Sequence, residues 1–383
     1  MTAVLFIKYP NLSPMKHPLI FVFLFTNLIA QRPGDDMVRE GVDAFYNYDY
    51  DRSITILTQA RKDFPENPVV HVTWAAAHWR RNEAYLPQDQ IYTNLKTDLD
   101  EIEVIYTTLL DEYPDHPEYL LYLGTTRGLK ARILLGQKKW IPTLLSAYKG
   151  FRVIQKALDK DPNLKDAYLP IGIVEYYAGL SNILVKVGVE LFGLDAAREE
   201  GIRKMEIAAT QSPWAWTEAM SILSFIYQFS DINNPRGLEV SRTLAEKYPN
   251  NFDFQVHYTE ALLRNGQLKI AKKELNHLNE ALPKLTKRHQ EWFRSYLNYV
   301  WGHYYFLIGE DDRAMGFLNK CINLYNAELD AILANAYLLK GQIHDKKGQR
   351  VEAAITYKKC IKLDNHAYAI ILAKQYLDEP FQG

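Results

Sequence analysis

Six prolines, Pro65, Pro114, Pro162, Pro213, Pro249 and Pro283, each follow an apolar run with helical periodicity. The words around them recur as Phe64-Pro65-Glu66-Asn67, Tyr113-Pro114-Asp115-His116, Asp161-Pro162-Asn163 and Tyr248-Pro249-Asn250-Asn251. Proline lacks a backbone N–H and its ring collides with the preceding turn, so it does not continue a helix; Asn or Asp beside it caps the next one. Each site is a stop followed by a start. The spacing predicts an all-α array of units that bury their apolar faces on their neighbours, with no single catalytic core.

The last two copies are the most regular. Trp301-Gly302, Tyr305, Gly309, Ala314, Leu318 and Cys321 return 39 residues on, position by position, as Lys340-Gly341, His344, Gly348, Ala353, Tyr357 and Cys360. In a hairpin of antiparallel helices, small side chains sit where the axes come closest and large ones fill the holes opposite. Glycine between the helices supplies the left-handed backbone that ends the first. This order resembles the tetratricopeptide repeat, whose period is about 34 residues. Further copies carry Gly41, Ala44, Leu57, Ala60 and Pro65; Gly124, Gly150, Ile154, Ala157 and Pro162; and Gly172, Gly201, Met205, Ala208 and Pro213. Two more carry Gly237, Val240, Leu244 and Pro249, then Gly266, Ala271, Leu275, Leu278 and Pro283. The second copy ends Tyr106, Leu109, Pro114 and has its first helix around Trp74 to Trp79. The resemblance implies one right-handed superhelix, an α-solenoid over residues 32–383, of about eight tetratricopeptide-like helix pairs.

The prolines from Pro65 to Pro213 lie 49, 48 and 51 residues apart, against 36 and 34 for the steps to Pro249 and Pro283. Units two to four are longer, and the extra length is expected between their paired helices: around Tyr85 to Thr97, Leu134 to Tyr148, and Ser181 to Glu200. Insertions on one face of a solenoid often belong to its binding surface. The third insert is the most apolar, with Ile183, Leu184, Val187, Val189, Leu191, Phe192 and Leu194. It extends the helices of its unit, crosses the groove, or meets a partner or a membrane surface. With these long units the chain resembles exported bacterial tetratricopeptide proteins.

Residues 1–31 read as an upstream extension plus a secretory signal peptide. From Met15, the expected start, a basic residue precedes an apolar run from Leu19 to Phe25 and a small residue, Ala30. That run is shorter than the roughly 20 residues that span a bilayer. Export to the periplasm or beyond, at the cell envelope, is the expectation; a buried N-terminal helix is the alternative. The two cysteines, Cys321 and Cys360, are expected as buried free thiols, the alternative being a disulfide between them.

Little here points to chemistry. Lysine plus arginine number 45 and aspartate plus glutamate 46, with no basic stripe, so no nucleic-acid partner is expected. No phosphate loop, dinucleotide fingerprint, nucleophile elbow or zinc-protease motif occurs, and no enzymatic activity or cofactor is expected. His71 and His78 share a helix face but no Cys, Asp or Glu at a suitable spacing completes a metal site, so no metal is expected. The adjacent acids Asp35-Asp36, Glu199-Glu200 and Asp311-Asp312 are expected on solvated faces.

In the repeat family the first helix of each unit lines a concave groove and contacts ligands at its second, fifth, ninth and twelfth positions. The resemblance carries this role to Tyr296, Tyr299, His303 and Phe306 in unit seven, with Gly302 fixing the register. It implies Asn335, Leu338, Gln342 and Asp345 in unit eight, and Asp166, Leu169, Ile173 and Tyr176 in unit four. The lining lacks a Lys/Arg cluster that would clamp a C-terminal carboxylate. The function implied is a protein-protein interaction scaffold that binds a polypeptide segment or assembles an envelope complex. The alternative is a carrier or sensor of a small apolar ligand held between the long inserts and the groove.

Overall fold

The structure, a computed structural model, describes residues 32–136, 139–180, 198–327, 330–363 and 365–383; the expected signal peptide and most of the third insert lie outside these. Seventeen α-helices and no strand occur among the described residues. Unit 1 pairs α1 (Asp35–Tyr46) with α2 (Tyr50–Asp63), and unit 2 pairs α3 (Val70–Tyr85) with α4 (Gln88–Glu112). Unit 3 holds α5 (Pro117–Gly136) and α6 (Trp140–Lys160), and unit 4 holds α7 (Tyr168–Leu180) and α8 (Arg198–Gln211). Units 5 and 6 are α9 (Trp216–Phe229) with α10 (Asn234–Lys247) and α11 (Phe252–Arg264) with α12 (Leu268–Ala281). Units 7 and 8 are α13 (Lys287–Leu307) with α14 (Asp311–Leu324) and α15 (Ala331–Lys346) with α16 (Arg350–Lys362). Helix α17 (Tyr368–Asp378) covers the apolar flank that unit 8 would otherwise expose.

The six prolines each stand two residues past the end of a second helix, and the capping follows: Asn251 accepts a hydrogen bond from the Phe254 N–H. Pairing follows the small-against-large pattern. A Cβ on Gly341 would lie 2.3 Å from the Tyr357 ring, and one on Gly201 would lie 2.6 Å from the Tyr176 backbone nitrogen. Gly309 and Gly348 end their helices at φ 78° and 71°, the left-handed backbone the turns were expected to need.

The extra length of units 2 and 3 enters as helix, which corrects the expectation of inserted segments between helices. Helix α4 runs for 25 residues and α6 for 21, against 14 for α10 and α12. Extra helical turns satisfy every added backbone N–H and C=O internally, which a loop lying on the protein would not do.

The array also bends back on itself. Units 1 and 2 meet units 5, 6 and 7 in a seam that no repeat pattern encodes. There Asn251 donates to the Tyr46 carbonyl at 2.8 Å, Arg288 donates to the Glu83 carbonyl at 3.0 Å, and Lys247 pairs with Asp43 at 3.3 Å. The Tyr46 ring lies between Tyr248 and Phe254, with centroids 5.0 and 5.9 Å away.

Cys321 and Cys360 are both buried free thiols, and burial pushes each up to about 12. Cys360 donates to the Ala334 carbonyl at 3.2 Å. No helix of the described residues is long and apolar enough to cross a membrane.

Candidate functional site

Helices α11, α13 and α15 run side by side as the inner helices of units 6 to 8. The second, fifth and ninth positions of α13 and α15 are buried against neighbouring helices instead of facing an open groove. Tyr296, Tyr299, His303, Asn335, Leu338 and Gln342 are all buried. Phe229 on α9 reaches across to Tyr296 and Tyr299, with ring centroids 6.4 and 6.3 Å apart, which places the winding tight enough for inner side chains of different units to touch.

At the centre of this inner face lies Glu260, fully buried. Its carboxylate accepts from the Tyr299 hydroxyl at 2.9 Å, from Arg264 Nε at 2.8 Å and from His303 Nδ1 at 3.0 Å. Arg264 also donates to Asn335 Oδ1 at 3.3 Å and lies over the Phe229 ring. Burial alone would push the Glu260 carboxyl up. The charges of His303 and Arg264, with hydrogen bonds from His303 and Tyr299, outweigh it and hold the group below the usual carboxylate range. Burial, and then the nearby Glu260 charge, pushes the Tyr299 hydroxyl well above its ordinary value. A buried charge is tolerated only when paired and hydrogen-bonded, so these four groups form one unit.

The sequence reading missed Glu260 and Arg264. A signal existed: Gly266 and Gly309 are equivalent turn glycines 43 residues apart, and the same step leads from Glu260 to His303. Glu260 is therefore the ninth position of unit 6.

The unit 4 positions serve the array in other ways. Asp166 is buried and accepts from the Ala215 N–H at 2.8 Å, the Trp214 N–H at 3.1 Å and the Ser212 hydroxyl, so it fixes the segment that leads into α9. Burial pushes its carboxyl up, against the pull of those bonds. Leu169 and Tyr176 are buried, the Tyr176 hydroxyl donating to Asp231 at 2.5 Å, and Ile173 is half-buried.

The twelfth positions behave differently from the rest. Phe306 and Asp345 close the inner helices of units 7 and 8 at the edge of the inner face. Phe306 is half-buried, with the Lys346 ammonium 5.1 Å above its ring. The Asp345 carboxylate accepts from the Tyr357 hydroxyl at 2.9 Å and from Arg350 at 3.1 Å.

Where the seam closes, Tyr48, Tyr50, Arg80, Asp253, His289 and Trp292 border a cleft of about 90 Å³. The rings of Tyr48 and His289 lie 5.3 Å apart. Burial, with the Arg80 charge adding to it, pushes the His289 imidazole down to about 4, so it is neutral at pH 7. Nothing in the repeat pattern pointed to this cleft, because its walls come from units 1, 2, 6 and 7.

His71 and His78 have protein partners. His71 bonds the Pro65 carbonyl at 2.8 Å and accepts from Arg61 at 3.2 Å, and His78 lies 3.3 Å from Asp98. The expectation that adjacent acids are solvated fails at Asp35. It is buried and accepts from Asn67 at 2.8 Å, because it begins α1 beside the first turn between units.

This arrangement of stacked helix hairpins can be set beside known proteins. Residues 334–366 match the tetratricopeptide repeat. That tetratricopeptide match covers α16 and nearly all of α15, the copy whose spacing is most regular. Among solved structures, a tetratricopeptide repeat protein from Parabacteroides merdae is similar at 15% identity over 90% of this chain and 97% of its own, with a TM-score of 0.30. Yeast Tom70 is similar at 12% identity, covering 90% and 95%, with a TM-score of 0.29. Human IFIT1 with PPP-AAAA is similar at 11% identity, covering 92% and 86%, with a TM-score of 0.41. No curated protein sequence matches the chain. None of these likenesses bears on what the chain binds. Stacked helix hairpins of this kind offer a continuous surface along the array.

Proposed function

We propose that the chain receives a polypeptide segment along the inner edge of units 7 and 8, and that it does so after export, at the cell envelope. One observation carries the first part. Of the inner positions in units 7 and 8, the second, fifth and ninth are used up by contacts between units, whereas the Phe306 side chain at the edge keeps accessible surface. An aromatic anchor ringed by polar groups, here Lys346 and Asp345, is the usual core of a peptide-binding patch. The basic-apolar-small pattern from Met15 to Ala30 supports export.

A photocrosslinking residue at position 306 in the native host tests the groove, with position 351 on the outer helix α16 as control. Capture of a polypeptide at 306 and not at 351 is expected; equal capture at both overturns the reading. The N-terminus of the protein from cells is expected to begin beyond Ala30, and retention of Met15 overturns export.

A second reading follows from the aromatic cleft at the seam. Its volume of about 90 Å³ admits a molecule of only a few heavy atoms. Native mass spectrometry that finds a retained small molecule, lost on Trp292→Ala, would favour it.

A further inference from the structure

Residues 379–383 follow α17 and turn back across the ends of α15 and α13, lying on the two edge positions just described. The Phe381 N–H donates to Asp345 Oδ2 at 3.1 Å. Its ring is 5.3 Å from the Tyr376 ring and 6.3 Å from the Phe306 ring. Arg350 anchors the turn by donating to the Leu377 carbonyl while its other contact holds Asp345. Pro380, Gln382 and Gly383 are exposed, so the segment is fixed by one ring and one main-chain bond.

Two independent lines meet here. The repeat register nominates Phe306 and Asp345 as ligand contacts without reference to the end of the chain, and the structure seats an extended piece of chain on those same two residues. An extended peptide on a helical array is recognised through a buried ring and a main-chain hydrogen bond to a fixed side chain. Asp345 is fixed by Tyr357 and Arg350. Its carboxylate is thus a preorganised acceptor for a main-chain N–H.

We infer that the partner of this surface is an extended polypeptide carrying a phenylalanine or tyrosine, whose ring enters between Phe306 and Tyr376 and whose main-chain N–H bonds Asp345, and that Phe381 holds the place until it is displaced. This rests on the proposed polypeptide-binding role of the same edge and names its partner chemistry and its control. Because the occupant is tethered, it competes as if present at millimolar concentration, so an external segment binds the full chain more weakly than a chain whose own ring is gone.

The probe is a fluorescein-labelled peptide, Asp-Glu-Pro-Phe-Gln-Gly, titrated into the full chain. The Phe381→Ala chain is expected to bind it at least tenfold more tightly than the unsubstituted chain, and adding Phe306→Ala to Phe381→Ala is expected to abolish binding. Equal affinity for the first two proteins, no binding to Phe381→Ala, or binding that survives Phe306→Ala each overturns the inference. Circular dichroism melting of all three proteins checks that Phe306→Ala acts on the site and not on folding, and Phe306→Leu, which keeps the apolar bulk, is expected to bind in between. Partner capture at position 306 that is unaffected by Phe381→Ala, with no binding of the peptide, sinks the place-holder and leaves the scaffold reading standing. Loss of capture in both chains sinks the scaffold reading itself.

Discussion

The inner face of units 6 to 8 and the seam between units 1–2 and 5–7 are both places where helices distant in sequence come together, and they are sealed by different physics. The inner face joins successive units at equivalent positions, so its polar groups, Glu260, Arg264 and His303, are buried together and held by hydrogen bonds to one another and to Tyr299. The seam joins units that share no register. It relies on stacked rings and on side chains such as Asn251 and Arg288 that reach main-chain carbonyls. A carbonyl offers a bond whatever residue bears it, so a contact outside the repeat needs few residues to be specific. The inner face ties successive units together; the seam ties units 1 and 2 to units 5, 6 and 7.

The largest expected effect separates the two regions at the inner face. Glu260→Ala leaves Arg264 buried without its counter-charge and His303 without its hydrogen-bond partner, and is expected to cost about 3–5 kcal/mol, read from the urea unfolding midpoint. A loss below about 1 kcal/mol would show that water reaches the site.

Next comes acid at the seam. An unfolded chain protonates His289 below about pH 6.5, while the folded seam resists until about 4. Between those values the unfolded state holds the extra proton, so stability falls as pH falls, by on the order of 3 kcal/mol across the window. His289→Phe should flatten that part of the pH profile; an unchanged slope would mean that the imidazole is not what the seam excludes.

Within the stack, Gly341→Ala forces a methyl group against the Tyr357 ring and should cost about 1–3 kcal/mol, read from the melting temperature. The smallest effect is at the rim of the seam, where Lys247 and Asp43 are about half exposed. Lys247→Ala is expected to cost under about 1 kcal/mol. The combination Tyr46→Ala with Arg288→Ala should instead enlarge the radius of gyration in small-angle scattering while helicity holds. An unchanged radius would mean that the seam does not depend on those two side chains.

Much of the fold was legible because a repeat states its packing rule many times. Prolines marked the unit ends, Gly302 and Gly341 named the large residues that cover them, and the same register put Phe306 and Asp345 on the first helices of units 7 and 8. Legibility ended where the rule did. The register also nominated Tyr299 and His303 as groove lining, and it could not say that the array winds tightly enough to bury them. The length of units 2 and 3 was visible, but whether it formed loops or longer helices was decided by backbone hydrogen bonding.

By itself, the sequence determined that helices pair, in what order, and which small and large residues meet between them, because those contacts are local and recur at a fixed spacing. Only the tertiary structure decided the curvature, and with it the burial of Glu260, the seam at Tyr46 and His289, and the seat of Phe381 against Phe306. Curvature is the sum of small rotations between successive units, set by side-chain volumes along the whole array, and no single copy of the repeat contains it.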